Sequence, residues 1–250
     1  MRRTERLHLQ QPYLSACEAI VTEIHPEKGI ATDVTVAFAE GGGQISDCGV
    51  LTTNDGEQVN FTDVQKGYGR LLLINDFPSI QIDTPVYHKV APEDLAKFRV
   101  GQTIKIAIDT DRRNRLCVSH TGIHLVLMGL ERLKTDIYQS IRGCHISTDK
   151  ARLDFMLDDK FTDEQITEAR EYTNQIIKEN WEAKTFAHPK EPEAMYWQTG
   201  DTVYCCGGTH LPRIGDVGEV TTAKKSLGAN MQRVSFTFPK AVFRKELFVT

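Results

Sequence analysis

The chain has 250 residues, enough for one large domain or two modest ones, and 40% hydrophobic and 26% charged residues are ordinary for a globular protein. Its formal net charge of −4 argues against tight, sequence-independent coating of nucleic acid, although local basic patches could still contact RNA. No uncharged apolar run is long enough to span a bilayer, and the basic start lacks the apolar stretch of a signal peptide. We therefore expect a cytoplasmic protein without membrane association, whose six cysteines are reduced.

The first hundred residues are predicted to be mostly strand. Runs rich in apolar and β-branched residues occur at 16–24 and 32–38, and further candidate strands are 70–74 and 85–90. Polar and apolar residues alternate over 102–109, which also predicts a half-buried strand.

The pattern changes after this point. Apolar residues recur every three or four positions over 115–137, which predicts a helix. Thr162 and Gln165 have the spacing of a capping box and predict the start of a second helix. The remaining predicted strands are 152–157, 217–223 and 234–238.

These elements predict an α+β fold with a domain boundary near residue 100. Residues 1–100 are expected to form a β-rich, barrel-like N-terminal domain. Residues 101–250 are expected to form an α+β domain with an antiparallel sheet and helices.

The first motif with chemical potential is His120-Thr-Gly-Ile-His124. Two histidines four residues apart on a helix project from the same face one turn apart, which suits two ligands of one metal. Such a pair is more often packed or solvated than metal-binding, so it does not predict a metal site by itself.

The second motif is Cys205-Cys206-Gly-Gly-Thr-His210, whose two glycines predict a tight loop that brings Cys206 and His210 together. A buried cysteine near a surface histidine is the plain alternative. With His120 and His124, the loop would offer three imidazoles and one thiolate, a set that suits zinc. Four protein ligands favour a closed structural site, whereas a catalytic site needs an open or displaceable position; residue types alone leave both open.

The third motif is a glycine run, Gly41, Gly42 and Gly43, followed by Gln44. It either forms a simple turn between strands or lets another backbone approach closely, in which case a side chain at Gly42 would block that approach. It is not a phosphate loop, because no Gly-Lys-Ser/Thr follows.

Basic residues flank the two histidine motifs: Arg112 and Arg113 lie before the first, and Lys225 lies after the second. Such residues are usually solvated. Beside a metal pocket they become candidate phosphate contacts.

The combination of an EGGGQ-x-SD-x-G loop, HxxxH and CGGTH resembles the AlaX family of free-standing alanyl-tRNA editing proteins, in its medium-length form. The same elements occur in the editing domain of alanyl-tRNA synthetase, and the HxxxH and CxxxH pair is shared more distantly with the threonyl-tRNA synthetase editing domain. The resemblance covers nearly the whole chain, including residues 12–14, 108–113, 152–155 and 215–233.

The resemblance implies a zinc ion held by His120, His124, Cys206 and His210. It also implies hydrolysis, without ATP, of the ester between a wrong amino acid and the terminal ribose of tRNA(Ala). The expected substrates are chiefly Ser-tRNA(Ala) and then Gly-tRNA(Ala), since a synthetase pocket built for alanine rejects such small differences weakly. The zinc ion would bind the substrate amino group, polarise its carbonyl or activate water.

Two further roles follow from this reading. Gln44 is the candidate for a contact that closes the pocket, because the glycine loop would let it reach the domain interface. Selection of serine over alanine requires a hydrogen bond to the substrate hydroxyl, and the candidate hydroxyls are Thr121, Ser147, Thr148 and Thr209. Thr209 is the first choice because it adjoins His210, although its hydroxyl could equally bond the backbone of its own loop.

Several positions depart from the expected family pattern. Ile45 stands where proline is common, Cys48 where threonine is common, and Gly122-Ile123 where other small residues are usual. Residues 143–146 replace a Gly-Ser-Leu-Val segment. The zinc ligands are intact, so these departures bear on substrate preference more than on activity.

Three other functions remain open. The chain could be a non-catalytic tRNA-binding module with a structural zinc site, or a general metallohydrolase of small esters or amides. A cysteine hydrolase that uses Cys205 or Cys206 is the third. Nothing in the sequence points to an obligate protein partner.

Overall fold

The computed structural model describes residues 3–75 and 77–250. Residues 1 and 2, part of the segment considered above as a signal peptide, lie outside the described residues. The fold is α+β, as predicted, with mostly antiparallel sheets and two long helices in the described chain. Neither of these helices combines the length and apolar character that crossing a membrane would require.

The N-terminal half is built from eleven described strands. They are β1 (Glu5–Arg6), β2 (Ala16–His25), β3 (Gly29–Thr32), β4 (Val34–Thr35), β5 (Gly49–Thr53), β6 (Gln58–Phe61), β7 (Asp63–Lys66), β8 (Arg70–Leu72), β9 (Ile80–Ile82), β10 (Val86–Lys89) and β11 (Thr103–Ile108).

Seven of these strands form one antiparallel sheet in the order β6-β5-β11-β2-β3-β10-β7. Its two edge strands are consecutive in the chain and separated only by Thr62, so the sheet must curl round to bring its edges together. The barrel-like sheet encloses a core of apolar side chains from every part of this half, among them Val21, Leu51, Phe61 and Ile106. The β8–β9 hairpin stands apart and packs its Leu72 and Ile82 against Ala194 of the C-terminal half.

The C-terminal half contains the two helices and the remaining strands. These are α1 (Thr110–Glu131), β12 (Ile141–Ile146), β13 (Lys150–Met156), α2 (Asp163–Glu179), β14 (Ala183–His188), β15 (Glu191–Thr199), β16 (Thr202–Cys205), β17 (Thr221–Ser226) and β18 (Met231–Thr237). They build a four-stranded sheet, β12-β13-β18-β17, and a three-stranded sheet, β14-β15-β16.

Helix α1 is the centre of this half. Its residues from Arg113 to Leu130 are almost all buried, so it is enclosed by other elements rather than laid on a surface. Close packing against α2 is possible because Gly129 lacks a side chain: a Cβ there would lie 2.6 Å from the carbonyl oxygen of Ala169. This packing therefore fixes the position of the helix and encloses most of its side chains.

Both predicted helices are present. Helix α2 begins with the predicted capping box, in which the Thr162 hydroxyl accepts from the Gln165 backbone and Gln165 bonds back to Thr162. Helix α1 begins earlier than predicted, because Asp109 caps it by accepting a hydrogen bond from the Arg112 backbone ahead of the first apolar residue. It ends at Glu131 rather than 137, and Asp136 has a left-handed φ of 61°.

Two strand predictions differ most from the structure, and the strand predicted at 70–74 also ends early, at Leu72. In the predicted strand 32–38, the donors of Ala37 and Phe38 bond to the Thr35 hydroxyl and the Asp47 carboxylate instead of a neighbouring strand. In the predicted strand 217–223, Gly218 adopts φ 67° against the backbone of Lys240, and the strand begins only at Thr221.

The sheet pairing also bears on where the chain divides. Strand β11 pairs with both β2 and β5, and Ile104 and Ile106 lie in the barrel core. We therefore propose a division at Asp109, after this strand, rather than near residue 100. The C-terminal end returns to the first half, where the carbonyl of Val249 accepts from the backbone of Ser15.

Candidate metal centre and its cavity

Helix α1 presents His120 and His124 on one face, one turn apart. Their ring centroids are 5.0 Å apart and both rings are buried. The arrangement follows from the four-residue spacing on a helix.

The loop after β16 brings Cys206 and His210 to the same point. The Sγ atom of Cys206 lies 3.3 Å from Nε2 of His120 and 3.2 Å from Nε2 of His210. One potential ligand atom from each of the four residues lies within 4.8 Å of the others. The structure thus unites the two sequence motifs, and the four side chains could hold a metal ion.

Glycine is required at one position of this loop. A Cβ on Gly208 would lie 2.1 Å from Cε1 of His120, whereas a Cβ on Gly207 would meet nothing nearer than 3.9 Å. The loop is held in place by Cys206, whose backbone donates to the Met195 carbonyl at 2.8 Å. The close approach of the loop to α1 therefore depends on Gly208.

The protonation states of these four side chains suit the binding of a metal ion. Burial lowers the pKa of His120 and His210 well below its ordinary value and that of His124 to about 3, so all three rings are neutral at pH 7. The Nε2 atom of His124 is buried without a hydrogen-bond partner among the described residues. Burial raises the pKa of Cys206 to about 12, and binding of a cation would release this proton.

Aromatic residues fix the orientation of His124. Its ring stacks on Trp197 and Tyr204, with centroids 4.9 and 5.1 Å away. Tyr204 is held in turn by its hydroxyl, which donates to the Glu131 carboxylate at 2.5 Å. Sequence reasoning missed these residues, which belong to no motif.

Gln44 reaches this centre from the other half of the chain. It is fully buried, and its Oε1 lies 2.7 Å from Nδ1 of His120 and accepts from the Thr209 backbone at 3.1 Å. Its Nε2 donates to the Thr209 hydroxyl at 3.1 Å. An amide oxygen at Nδ1 selects the tautomer that leaves Nε2 of His120 free as a ligand.

The glycine run makes the close approach that Gln44 needs, but at a different residue from the one expected. A Cβ on Gly43, which has φ 86°, would lie 2.7–2.8 Å from Sγ, Cβ and the carbonyl oxygen of Cys144. A Cβ on Gly42 would meet nothing within 4 Å. Gly43 also bonds to β12 by accepting from the backbone of Ile146 at 2.7 Å. The expectation that Gly42 occupies the crowded position was wrong.

Arg113 is not available for RNA. Its guanidinium is fully buried, donates to Asp47 and to the carbonyls of Val36 and Pro12, and so ties α1 to the barrel. The predicted phosphate contact at Arg113 is corrected on this ground. Its partner Asp47 is the aspartate of the EGGGQ-x-SD-x-G motif. This motif is the sequence signal from which the contact between Arg113 and Asp47 could have been predicted.

The other two predicted phosphate contacts are accessible. Arg112 is partly exposed, with its Nε donating to the Ser46 carbonyl at 3.0 Å. Lys225 is exposed on β17, opposite Arg233 of β18.

None of the four candidate hydroxyls lines the cavity formed by the described residues. Thr121 accepts from the Leu211 backbone, Ser147 donates to the Lys150 carbonyl and Thr148 donates to Asp149. The Thr209 hydroxyl bonds to Gln44 and not to the backbone of its own loop. These hydroxyls hold the structure together.

A cavity of about 440 Å³ opens beside the metal centre. Three of the four candidate ligands line it: His120, His124 and Cys206. The barrel half supplies Gly41 and Gly42, together with basic side chains at Arg6, His8 and Lys66; the rest of the wall includes the β8–β9 hairpin and apolar residues of α1, β12 and β13. The metal centre is therefore reachable from a cavity between the two halves.

Comparison with known proteins shows which proteins this chain is similar to. The chain is 30% identical over 264 residues to alanine–tRNA ligase of Pyrococcus furiosus, covering 97% of this chain and 26% of the relative. It is 31% identical over 242 residues to alanine–tRNA ligase of Methanococcus maripaludis, covering 89% and 24%. It is 30% identical over 237 residues to the same ligase of Ignicoccus hospitalis, covering 87% and 24%.

The chain thus spans about a quarter of the length of the curated relatives it matches. No family model matches it. The similarity extends over nearly the whole chain and so over both halves. The chain is therefore an AlaX-like protein, homologous to one segment of the alanine–tRNA ligases.

Proposed function

We propose that this protein is a zinc-dependent hydrolase that removes a wrongly attached amino acid from tRNA(Ala). His120, His124, Cys206 and His210 would hold the zinc ion. The observation that carries the proposal is the position of the centre: three of the four candidate ligands line an open cavity. A purely structural zinc site is closed and has no need of such access.

The residues of the chain have distinct tasks in this proposal. When bound, the zinc ion would act as a Lewis acid beside the ester. Gln44 holds His120 in its ligand tautomer, and Trp197 with Tyr204 holds the ring of His124. The apolar wall of α1, β12 and β13 limits the water that reaches the ester. Thr209 orients Gln44, so we place both residues in positioning roles.

The proposed substrates are chiefly Ser-tRNA(Ala) and then Gly-tRNA(Ala), with Ala-tRNA(Ala) spared. Hydrolysis of the correct product would waste each charging cycle, so a separate editor has to discriminate against it. Because the candidate hydroxyls are engaged within the protein, we assign the discrimination to the shape of the cavity and to the metal. The reaction needs no ATP and would take place in the cytoplasm.

Deacylation of Ser-, Gly- and Ala-tRNA(Ala), measured side by side with and without a chelator, tests the proposal. We expect release of serine and glycine that the chelator abolishes and added zinc restores. Stoichiometric zinc without deacylation would support the non-catalytic tRNA-binding module. Equal activity on a free seryl ester and on Ser-tRNA(Ala) would support a general metallohydrolase.

The cysteine hydrolase is disfavoured by the state of its nucleophile. Burial raises the pKa of Cys205 as well as that of Cys206, whereas a nucleophilic cysteine requires a lowered pKa.

A further inference from the structure

Two cationic residues and a histidine from distant parts of the sequence line the cavity. Arg6 of β1, His8 in the turn that follows, and Lys66 at the end of β7 all line it. The Nζ atom of Lys66 lies 3.1 Å from the position that a Cβ on Gly41 would occupy, so this side chain lies across the glycine loop. None of these residues adjoins the histidine and cysteine motifs in sequence.

The charges around Lys66 are not balanced. Arg3 and Arg6 share the Glu193 carboxylate, and Arg70 pairs with Asp83 and Glu191, so these three cations face three carboxylates. The side chain of Lys66 has no ion pair or hydrogen bond among the described residues, although it is exposed and lines the cavity. One cation without an ion-pair partner therefore lines the cavity.

His8 provides a second, independent sign of a missing ligand. Its side chain is only 5% exposed and lines the cavity, and its Nδ1 is buried without a hydrogen-bond partner among the described residues. A buried imidazole nitrogen without a partner is costly unless a ligand satisfies it. Burial and the nearby cations Arg113, Arg6 and Lys66 hold the pKa of His8 well below its ordinary value, so the ring is neutral and can offer only its N–H to a ligand. The cations around it make an anion the ligand that this place in the cavity favours.

We propose that Lys66 and His8 form a phosphate subsite that binds the phosphodiester on the 5′ side of the terminal nucleotide of the RNA substrate. The inference rests on the proposed function, because an aminoacyl ester on the terminal ribose lies one ribose away from that phosphate. The cavity that contains the metal centre also contains Lys66, so one nucleotide would place its ester at the metal and its phosphate at Lys66.

Two small esters that differ only in the phosphate distinguish an effect on the subsite from an effect on the rest of the site. They are 3′-O-seryl-adenosine and 3′-O-seryl-adenosine 5′-phosphate. We expect Lys66→Ala to lower kcat/KM about tenfold or more for the phosphate-bearing ester, mainly through KM, as for loss of one hydrogen bond to a charged group. Hydrolysis of seryl-adenosine should be unchanged within about twofold, and Lys66→Arg should retain most of the activity on both esters. Lys105→Ala, an exposed lysine of β11 outside the cavity, is the matched control.

Equal loss on the two esters, or no loss on either, would overturn the phosphate subsite. A wild-type protein that hydrolyses neither ester nor Ser-tRNA(Ala) would instead overturn the proposed function. Binding of an uncharged RNA oligonucleotide that ends in ACCA provides a readout without catalysis. There Lys66→Ala should reduce the slope of log K against log salt by about 0.7, the value for one single-strand phosphate contact, and an unchanged slope would also count against the subsite.

Discussion

Two glycine loops, residues 40–44 and 206–210, meet at His120, one from each half of the molecule. In each loop one glycine is crowded and another is not: Gly208 and Gly43 would collide with the opposite half or helix if they carried a Cβ, while Gly207 and Gly42 would not. Their contributions differ, because loop 206–210 supplies two candidate ligands and loop 40–44 supplies none.

The difference between the loops distinguishes two tasks, binding the metal and orienting one of its ligands, which the sequence motifs alone do not distinguish. Loop 206–210 is expected to determine whether a metal is held at all. Loop 40–44 is expected to determine how one ligand is oriented, through the bond from Gln44 to His120. Changes in the first loop should therefore have the larger effects on metal content, and each loop contains its own control residue.

The largest effect is expected for Cys206→Ala, which removes a ligand from the centre of the cluster. Metal content should fall from about one zinc per chain to near zero, and deacylation should be lost with it. Metal analysis of untagged protein measures the first and a Ser-tRNA(Ala) assay the second. Cys205→Ala is the matched control, and full zinc occupancy in Cys206→Ala would remove this residue from the site.

Gly208→Ala should come next. Its Cβ would lie 2.1 Å from the His120 ring, so the loop would have to move away from α1 and carry Cys206 and His210 with it. We expect zinc affinity to fall by at least about a hundredfold, because geometry at a metal site tolerates only small shifts. Gly207→Ala should retain wild-type affinity in the same competition with a chelator. Similar affinities for the two variants would mean that the loop can relax.

Gln44→Ala should have an intermediate effect. It removes the acceptor at Nδ1 of His120 and leaves the ligand itself in place, and such partners contribute about 10–100-fold to metal affinity or activity. The chelator competition used for Gly208→Ala measures it, with exposed Gln65→Ala as control. Unchanged affinity and activity would show that Gln44 serves only to join the two halves.

Gly43→Ala and Gly42→Ala should differ in stability more than in metal binding. Both glycines have positive φ, 86° and 59°, so each substitution carries a backbone cost of about 1–2 kcal/mol. Gly43→Ala adds a collision with the backbone of Cys144 and should cost about 2–4 kcal/mol in the free energy of unfolding. Denaturant unfolding of both variants checks this, and equal losses would contradict the close approach at Gly43.

The sequence predicted which residues converge at the candidate site better than it predicted the residues that support them. The helix spacing of His120 and His124 and the glycines after Cys206 are local signals, and the structure brings these residues together. The role of Gly43 depends on which strand of the other half passes beside it, and nothing local distinguishes it from Gly42. The same limit applies to Trp197 and Tyr204, which reach His124 only through the fold.

The phosphate contacts show the limit most clearly. Proximity in sequence to the motifs suggested Arg112, Arg113 and Lys225, yet Arg113 is buried against Asp47. Arg6 and Lys66, which line the cavity, lie far from both motifs along the chain. Strand predictions failed for a related reason: at Ala37 and Phe38 side chains, rather than a neighbouring strand, satisfy the backbone donors.

The smallest effect is expected for Arg112→Ala combined with Lys225→Ala. Arg112 already donates its Nε to Ser46, and Lys225 is exposed on β17, so each would add only a peripheral contact to the acceptor arm. Exposed charges of this kind contribute about 0.2–1 kcal/mol, so KM for Ser-tRNA(Ala) should rise only a few-fold, with kcat and zinc content unchanged. The dependence of binding on salt should weaken for full-length tRNA but not for an ACCA oligonucleotide, because neither residue lines the cavity that would hold the terminal nucleotide. An unchanged salt slope with the full tRNA would show that these are ordinary surface charges, and would leave phosphate recognition to the cavity mouth at Lys66.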